Sequence, residues 1–308
     1  MRSVPTTSSP IEAATVRRPA ELAPMSPRQL YLYRARRHLG LQIGGAVVLI
    51  IVLMAIFAPL IAPYDPIKQD LLAKLRPPVW VGGGWDHILG TDIYGRDFLS
   101  RLIYGARVSV MIGFFAAFVS AVVGSAIGIL GGYFGGRVDA AVMYLINVKL
   151  SMPGILVALA LVSLTGGSIL ALVLILALLF WDRYAIVCRT VTQQLKGQEF
   201  VQAAVATGAS HARILVSELL PNLFSHIIVM MSMEMALAIV VEAALSFLGL
   251  GVQPPTPSWG LMIAEGRQFL FFKPSLIVLP GLAIFVLVIA INLFGDGIRD
   301  VTATEGKA

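Results

Sequence analysis

The chain has 308 residues, of which 57% are hydrophobic and only 13% are charged, and its mean hydropathy is +0.85. Soluble domains carry about 25% charged residues, so this composition excludes an ordinary soluble protein and indicates several membrane spans. The single cysteine, Cys188, excludes an internal disulfide and a cysteine metal cluster. The net charge of +6 does not indicate nucleic-acid binding, because no soluble face interleaves basic with aromatic residues.

The amino-terminal part precedes the first apolar run and is rich in arginine. Residues 1–25 are mostly Ser, Thr, Pro and Ala without periodicity, which predicts a disordered tail. Residues 26–40 predict a short helix at the membrane interface, because Ser26 and Pro27 suit a helix start and arginines follow. The apolar run that comes next is too long for a cleaved signal peptide, so it predicts an uncleaved first span.

Six apolar runs of about 20 residues predict six membrane-spanning helices. Their predicted bounds are 41–61, 108–130, 140–164, 168–187, 222–244 and 276–293. Glycines spaced four apart, at Gly124, Gly128 and Gly132, predict close packing of the second helix. The sequence therefore predicts an all-α polytopic membrane protein with residues 41–300 as its transmembrane domain.

The basic residues predict the orientation of these spans. Arginines before the first span and in the connections after even-numbered spans favour a cytoplasmic position for both termini, including the tail at 301–308. The polar segments 63–105 and 252–273 then lie on the outer side. Within the first of them, Asp92, Arg96 and Asp97 predict a set of salt bridges.

The stretch Glu199–Pro221 is too polar to cross a bilayer, although apolar runs flank it. Helical spacing predicts a short helix that stops at Gly208 and a second helix capped by Ser210. Pro221 is predicted to mark the boundary with the next span. Two interpretations are open from these residues alone: a docking loop for a partner, or an ordinary surface helix-turn-helix.

Five segments carry motifs that occur together in one family. They are Gly90–Arg107 (GTDIYGRDFLSRLIYGAR), Gly131–Asp139 (GGYFGGRVD), the loop 199–221, Leu245–Gly260 (LSFLGLGVQPPTPSWG) and Pro280–Asp300 (PGLAIFVLVIAINLFGDGIRD). Over about residues 27–300, the chain resembles the C-type permease subunit of dipeptide/oligopeptide ABC importers. The resemblance implies a type I importer permease fold in a bacterial cytoplasmic membrane. It also implies three kinds of partner: a second permease subunit, two ATPase subunits and an extracytoplasmic substrate-binding protein.

In this resemblance, the loop 199–221 is the cytoplasmic coupling loop that seats on an ATPase subunit. The residues predicted to make that contact are Phe200, Gln202, Ala203, Ala204, Gly208, Arg213 and Pro221. The chain is predicted to be no enzyme and to bind no cofactor, because no Gly-x-x-x-x-Gly-Lys-Ser/Thr motif is present to cradle nucleotide phosphates. ATP and Mg belong to the partner subunits in this interpretation. The scattered histidines lack the spacing of metal ligands.

Polar residues inside the apolar runs are candidates for lining a solute pathway. Lys149 costs about 2.5–3.5 kcal/mol on insertion scales at the centre of a span, and Pro153 removes a hydrogen bond to its carbonyl and predicts a kink. Two interpretations are open: Lys149 lines the pathway, or it pairs with an acid on a neighbouring helix, such as Glu234 or Glu242. The candidate lining residues are Asn147, Lys149, Glu234 and Glu242.

These features predict one of two membrane subunits of an ATP-driven, binding-protein-dependent importer of di- or oligopeptides or related solutes. The alternative is a stand-alone secondary transporter with Lys149 and Glu234 as ion-relay groups, but such proteins usually contain inverted repeats, which are absent here. Relatives in the resembling family carry dipeptides, longer peptides, nickel chelates, and glutathione-like and opine-type solutes, so the substrate stays open. Ser217 and Glu218 also depart from the basic pair that is common in the family.

Overall fold

The computed structural model describes residues 33–302, and the regular elements in that range are helices, with no β-strand. The predicted tail at 1–25 lies outside the described residues, as do most of the predicted interfacial helix at 26–40 and the chain beyond residue 302. The main helices are α1 (Leu39–Ile56), α2 (Ala58–Ile61), α3 (Phe98–Phe134), α4 (Gly136–Leu150), α5 (Gly154–Thr165), α6 (Ile169–Lys196), α7 (Glu199–Ala206), α8 (His211–Arg213), α9 (Leu220–Phe247), α10 (Trp259–Gly266) and α11 (Ser275–Thr302).

Five of the described helical segments are long and apolar enough to cross a membrane: α1, α3, α6, the continuous run from α8 through α9, and α11. The predicted span 140–164 corresponds to two helices, α4 and α5, whose axes differ by 81°. The break falls at Pro153, which has no N–H to donate, and the carbonyl of Lys149 accepts from Met152 instead. Counted as one bent span, this pair brings the number to six.

The long helix α3 packs against α6 through its glycines. A Cβ atom at Gly124 would lie 2.8 Å from Cβ of Tyr184, and one at Gly128 would lie 2.9 Å from Cα of Ala185. A Cβ atom at Gly132 would lie 2.8 Å from Cβ of Thr192. The predicted close packing at these three glycines is therefore confirmed, and it aligns α3 and α6 over more than two helical turns.

Contacts between distant residues define the two ends of the bundle. The backbone N–H of Tyr64, after α2, donates to Ser100 Oγ at the beginning of α3, so α1 begins towards the opposite end of α3. His38 Nε2 lies 2.9 Å from Asp300 Oδ2 there. We call that end, which also holds residues 197–219, the loop end. The opposite end, formed by residues 62–97 and 248–274, is the cap end.

The cap end contains a buried network of charges. Arg96 and Arg101 both pair with Asp92 and with Glu265, which comes from α10, and both arginine side chains are almost fully buried. Asp97 pairs with His87 and caps α3 by accepting from the N–H of Ser100. The predicted pairing of Asp92 with Arg96 is confirmed, whereas Asp97, within residues 33–302, pairs with His87 and not with an arginine. Glu265 joins the arginine network because α10 packs on the beginning of α3. The helix starts at Phe98, inside the predicted polar segment 63–105.

Candidate functional site

The loop 199–221 folds as predicted over its first half. Helix α7 ends at Gly208, where a positive φ of 77° suits glycine and the N–H of Ala209 donates to the carbonyl of Ala204. Ser210 then caps the next helix by accepting from the N–H of Arg213. The predicted helix stop and helix cap are both confirmed.

The second half of the loop differs from the prediction. Pro221 does not mark the boundary of a span, because the helix that starts at His211 continues without interruption to Phe247. A π-helical turn over Ile214–Leu219 precedes the proline. Such a turn shifts the hydrogen-bond register by one residue and takes up the missing N–H and the bulk of the ring. The predicted helix boundary at Pro221 is therefore wrong, and the helix that contains the predicted span continues into the loop.

Four of the predicted contact residues surround one concavity of about 490 Å³ between α7 and the next helix. Three further residues that were not predicted, Thr207, Ala209 and Glu218, complete its wall. The predicted residues in the wall are Ala203, Ala204, Gly208 and Arg213. Phe200, Gln202 and Pro221 are exposed but lie outside this concavity. Arg213 and Glu218 are five residues apart and line the same concavity because the turn between them is π-helical. The sequence contains only a weak signal of this, since an ordinary α-helix brings together residues three or four apart.

The loop is firmly attached to the bundle. Val201 of α7 and Ile214 and Leu219 of the π-helical turn are buried in one apolar cluster with Ile129 and Leu223. Burial of one such side chain contributes about 1.5–3 kcal/mol. The cluster therefore joins α7 to α3 and α9.

Polar contacts add to this attachment. Tyr133 Oη lies 2.8 Å from His211 Nδ1, and Lys196 Nζ donates to the Tyr133 carbonyl at 2.7 Å. Arg189 of α6 pairs with Asp139 of α4. The contact of Tyr133 with His211 joins the loop to the end of α3. The other two contacts join α6 to α3 and to α4 beside the loop.

The predicted pathway residues are placed in different surroundings. Lys149 pairs with an acid on a neighbouring helix, as one of the two interpretations expected, but the acid is Asp182 of α6. The prediction of Glu234 or Glu242 as its partner is wrong, because α4 packs against α6 and not against α9 at this level. Glu234 pairs instead with Arg183, at 3.0 Å between Oε1 and Nη1. Neither Asp182 nor Arg183 was a sequence candidate.

The other two candidates do not join these pairs. Asn147 is exposed on α4. Glu242 is fully buried and accepts hydrogen bonds from Ser246 Oγ at 2.7 Å and from Ser258 Oγ at 3.2 Å. Ser258 also caps α10, so Glu242 fixes α10 on α9 within the cap end. The structure thus does not bring the four predicted pathway residues together.

Comparison with known protein families agrees with the fold over most of the chain. Residues 124–303 match the model described as "Binding-protein-dependent transport system inner membrane component". Residues 26–78 match the "N-terminal TM domain of oligopeptide transport permease C".

Three curated proteins illustrate the sequence similarity. The dipeptide transport system permease protein DppC of Haemophilus influenzae is 38% identical over 283 residues, which cover 92% of this chain and 96% of that protein. DppC of Escherichia coli K12 is 41% identical over 278 residues, with 90% and 93% coverage. The glutathione transport system permease protein GsiD of Escherichia coli O6:K15:H31 is 41% identical over 265 residues, with 86% coverage of each chain.

Among solved structures, the MetNI methionine ABC transporter in an inward-facing conformation is similar in fold. The TM-score is 0.54 at 18% identity, and the match covers 66% of this chain and 97% of that chain. At this identity the similarity concerns the fold alone.

Proposed function

Because the chain belongs to the family of inner membrane components of binding-protein-dependent transport systems, we propose that it carries di- or oligopeptides or closely related solutes across a bacterial inner membrane. It is a multi-pass permease subunit of an ABC importer, and ATP hydrolysis is the work of separate subunits. The alternative of a stand-alone secondary transporter has no support, since Lys149 and Glu234 are each held in an ion pair.

The choice of peptides rests on the similar proteins. Those at about 40% identity are named for dipeptide, di/tripeptide and glutathione transport. All of these solutes are peptides with free carboxylates. They support a peptide cargo over the nickel chelates and opine-type solutes that the sequence alone left open.

The assembly that we propose contains this chain, a second permease subunit, two ATPase subunits and a substrate-binding protein outside the membrane. The loop end faces the cytoplasm, and the concavity between α7 and Arg213 receives an ATPase subunit. One observation carries this assignment: an exposed polar concavity stands on a buried apolar anchor that is continuous with three spans. A force on the concavity is therefore transmitted to the bundle, as a rigid-body switch requires.

Two glycines with nearly equal positive φ angles test the assignment. Gly208 has φ of 77° at the loop end, Gly166 has φ of 76° at the cap end, and a Cβ atom at either meets nothing within 4 Å. Gly208→Trp and Gly166→Trp therefore bring the same backbone strain, of order 1–3 kcal/mol, and the same bulk into open space. Only Gly208→Trp places that bulk where we propose that the ATPase binds.

The measurements are dipeptide uptake by cells, the amount of the chain in the membrane, and the amount of ATPase subunit that co-purifies with it. We expect Gly208→Trp to lose uptake and ATPase recovery at a normal membrane level, and Gly166→Trp to keep both. If the Gly208 variant transports normally, or if both variants fail equally, the loop is not the coupling site.

A further inference from the structure

Arg183 has an unusual position for a charged residue. It belongs to α6, one of the helices long and apolar enough to span a membrane, yet half of its side chain, 52%, is exposed. Exposed residues of α6 nearer the cap end are apolar: Leu170, Leu174 and Leu178. An arginine that faces hydrocarbon is energetically unfavourable, so the surface around Arg183 requires water or a polar partner.

The guanidinium of Arg183 forms an ion pair with a buried acid. Its Nη1 donates to Glu234 Oε1 at 3.0 Å, and the Glu234 side chain is only 5% exposed. The guanidinium carbon lies 5.8 Å from the centre of the Phe180 ring. Within residues 33–302, Nε and Nη2 of Arg183 make no hydrogen bond, so a positioned cation presents two sets of N–H donors outwards.

The neighbouring ion pair is more buried than Arg183, so Arg183 is the main charge exposed at this surface. Asp182, next in the chain, is buried and pairs with Lys149, whose side chain is 23% exposed. Both acids of the group are therefore inside, and Arg183 is its most exposed member. A solute that passes this surface meets positive charge first.

Polar residues continue from Arg183 along one face of α6 towards the loop end. Thr190 and Gln194 are exposed and follow Arg183 by 7 and 11 residues, which places each of them within about 20° of Arg183 around the helix axis. Asn222 and His226 are also exposed, on α9, the helix that carries Glu234. A polar stripe that leads to one end of the bundle is typical of a wall wetted by water.

We propose that Arg183 lines the water-filled path of the solute and that its outward N–H donors bind the carboxylate of a passing peptide. Guanidinium groups match carboxylates in geometry and charge, and such hydrogen bonds are about twice as strong as neutral ones. This inference rests on the proposed function for the identity of the solute. The position of Arg183 in water does not depend on it.

The first experiment measures access of water to position 183 in the intact importer, with Cys188→Ala as background. Arg183→Cys is compared with Val123→Cys, which is 43% exposed on α3 among apolar side chains. Both lie at the same level of the bundle, because the adjacent Gly124 packs on Tyr184. Charged methanethiosulfonate reagents need a hydrated thiolate, so we expect position 183 to react on the order of tenfold faster or more. Equal rates at the two positions would mean that the reagents reach a thiol at position 183 no better than one on an apolar surface at the same level. That result would overturn the proposal.

The second experiment measures the charge at this surface. Ile186 is exposed and lies three residues after Arg183, on the neighbouring part of the helix face. We expect Ile186→Cys to prefer an anionic over a cationic reagent, and Arg183→Gln to reduce that preference roughly fivefold, the effect of one charge at about 8 Å in water. An unchanged preference would show that Arg183 does not face this space.

The same Ile186→Cys variant tests the carboxylate. We expect excess Ala-Ala to slow the modification, Ala-Ala amide to leave it unchanged, and Arg183→Gln to abolish the protection. Equal protection by both peptides would refute carboxylate binding. None of these rates requires transport, so they fail or succeed independently of the Gly208 and Gly166 variants that test the proposed function.

Discussion

Buried charged residues show how single side chains stabilise this protein. Arg101 begins α3, its side chain is fully buried, and its Nη2 donates to Glu265 Oε2 at 2.8 Å. Its Nε lies 3.3 Å from Asp92 Oδ2. Arg101 thus joins the segment before α3 to α10, and its removal leaves two acids buried with one cation fewer.

We expect Arg101→Met to destabilise the cap end by about 3–5 kcal/mol, the cost of breaking a buried ion pair. The thermal unfolding of the purified importer in detergent measures this as a lower Tm. Arg76→Met is the matched control, because Arg76 is exposed in the same segment and the structure gives its side chain no ion pair among residues 33–302. A Tm equal to that of the control would contradict the structural role of the network.

At the scale of the elements, the contact between α3 and α6 depends on backbone proximity. Gly128 approaches Ala185 so closely that a side chain has no room. In a bilayer, association of helices buries no apolar surface from water. Close van der Waals packing of this kind is therefore a main source of helix association.

Gly128→Leu should therefore force α3 and α6 apart and lower the free energy of unfolding by about 1–3 kcal/mol or more, the typical cost of overpacking. The Tm falls accordingly. Gly281→Leu is the control, since Gly281 lies inside α11 and a Cβ atom there meets nothing within 4 Å. The two Tm values in detergent should differ clearly. If Gly281→Leu is as harmful as Gly128→Leu, the substitution acts through something other than the α3–α6 contact.

The sequence predicted the existence of the elements better than their limits. Apolar length predicted five helices long enough to cross a membrane and the bent pair α4–α5. Local signals predicted the helix stop at Gly208 and the break at Pro153. The continuation of a helix through Pro221 was not predicted, because a π-helical turn before a proline leaves no clear mark on composition or periodicity.

At the scale of the whole molecule, the bundle has a loop end and a cap end, and the described chain starts and finishes at the loop end. The excess of arginine before α1 favours the cytoplasm for that end. The same orientation places the concavity at 203–218 where an ATPase can reach it.

Fusions to alkaline phosphatase, which is active only outside the cytoplasm, test this orientation. We expect a fusion after Gly83 in the cap end to be active, and fusions after Gly208 and Thr302 to be inactive. Fusions to green fluorescent protein should give the opposite pattern. Activity after Thr302 would reverse the membrane orientation and remove the loop from contact with an ATPase.

The sequence by itself determined the membrane class, the spans, the polar loop and the family, because apolar length, charge bias and ordered motifs are local properties of the chain. Only the tertiary structure decided which charges meet. Lys149 pairs with Asp182 and Glu234 with Arg183, while Glu242 is bound by serines. Partners on different helices depend on the rotation and depth of each helix, and these are set by packing at sites such as Gly124 and Gly128.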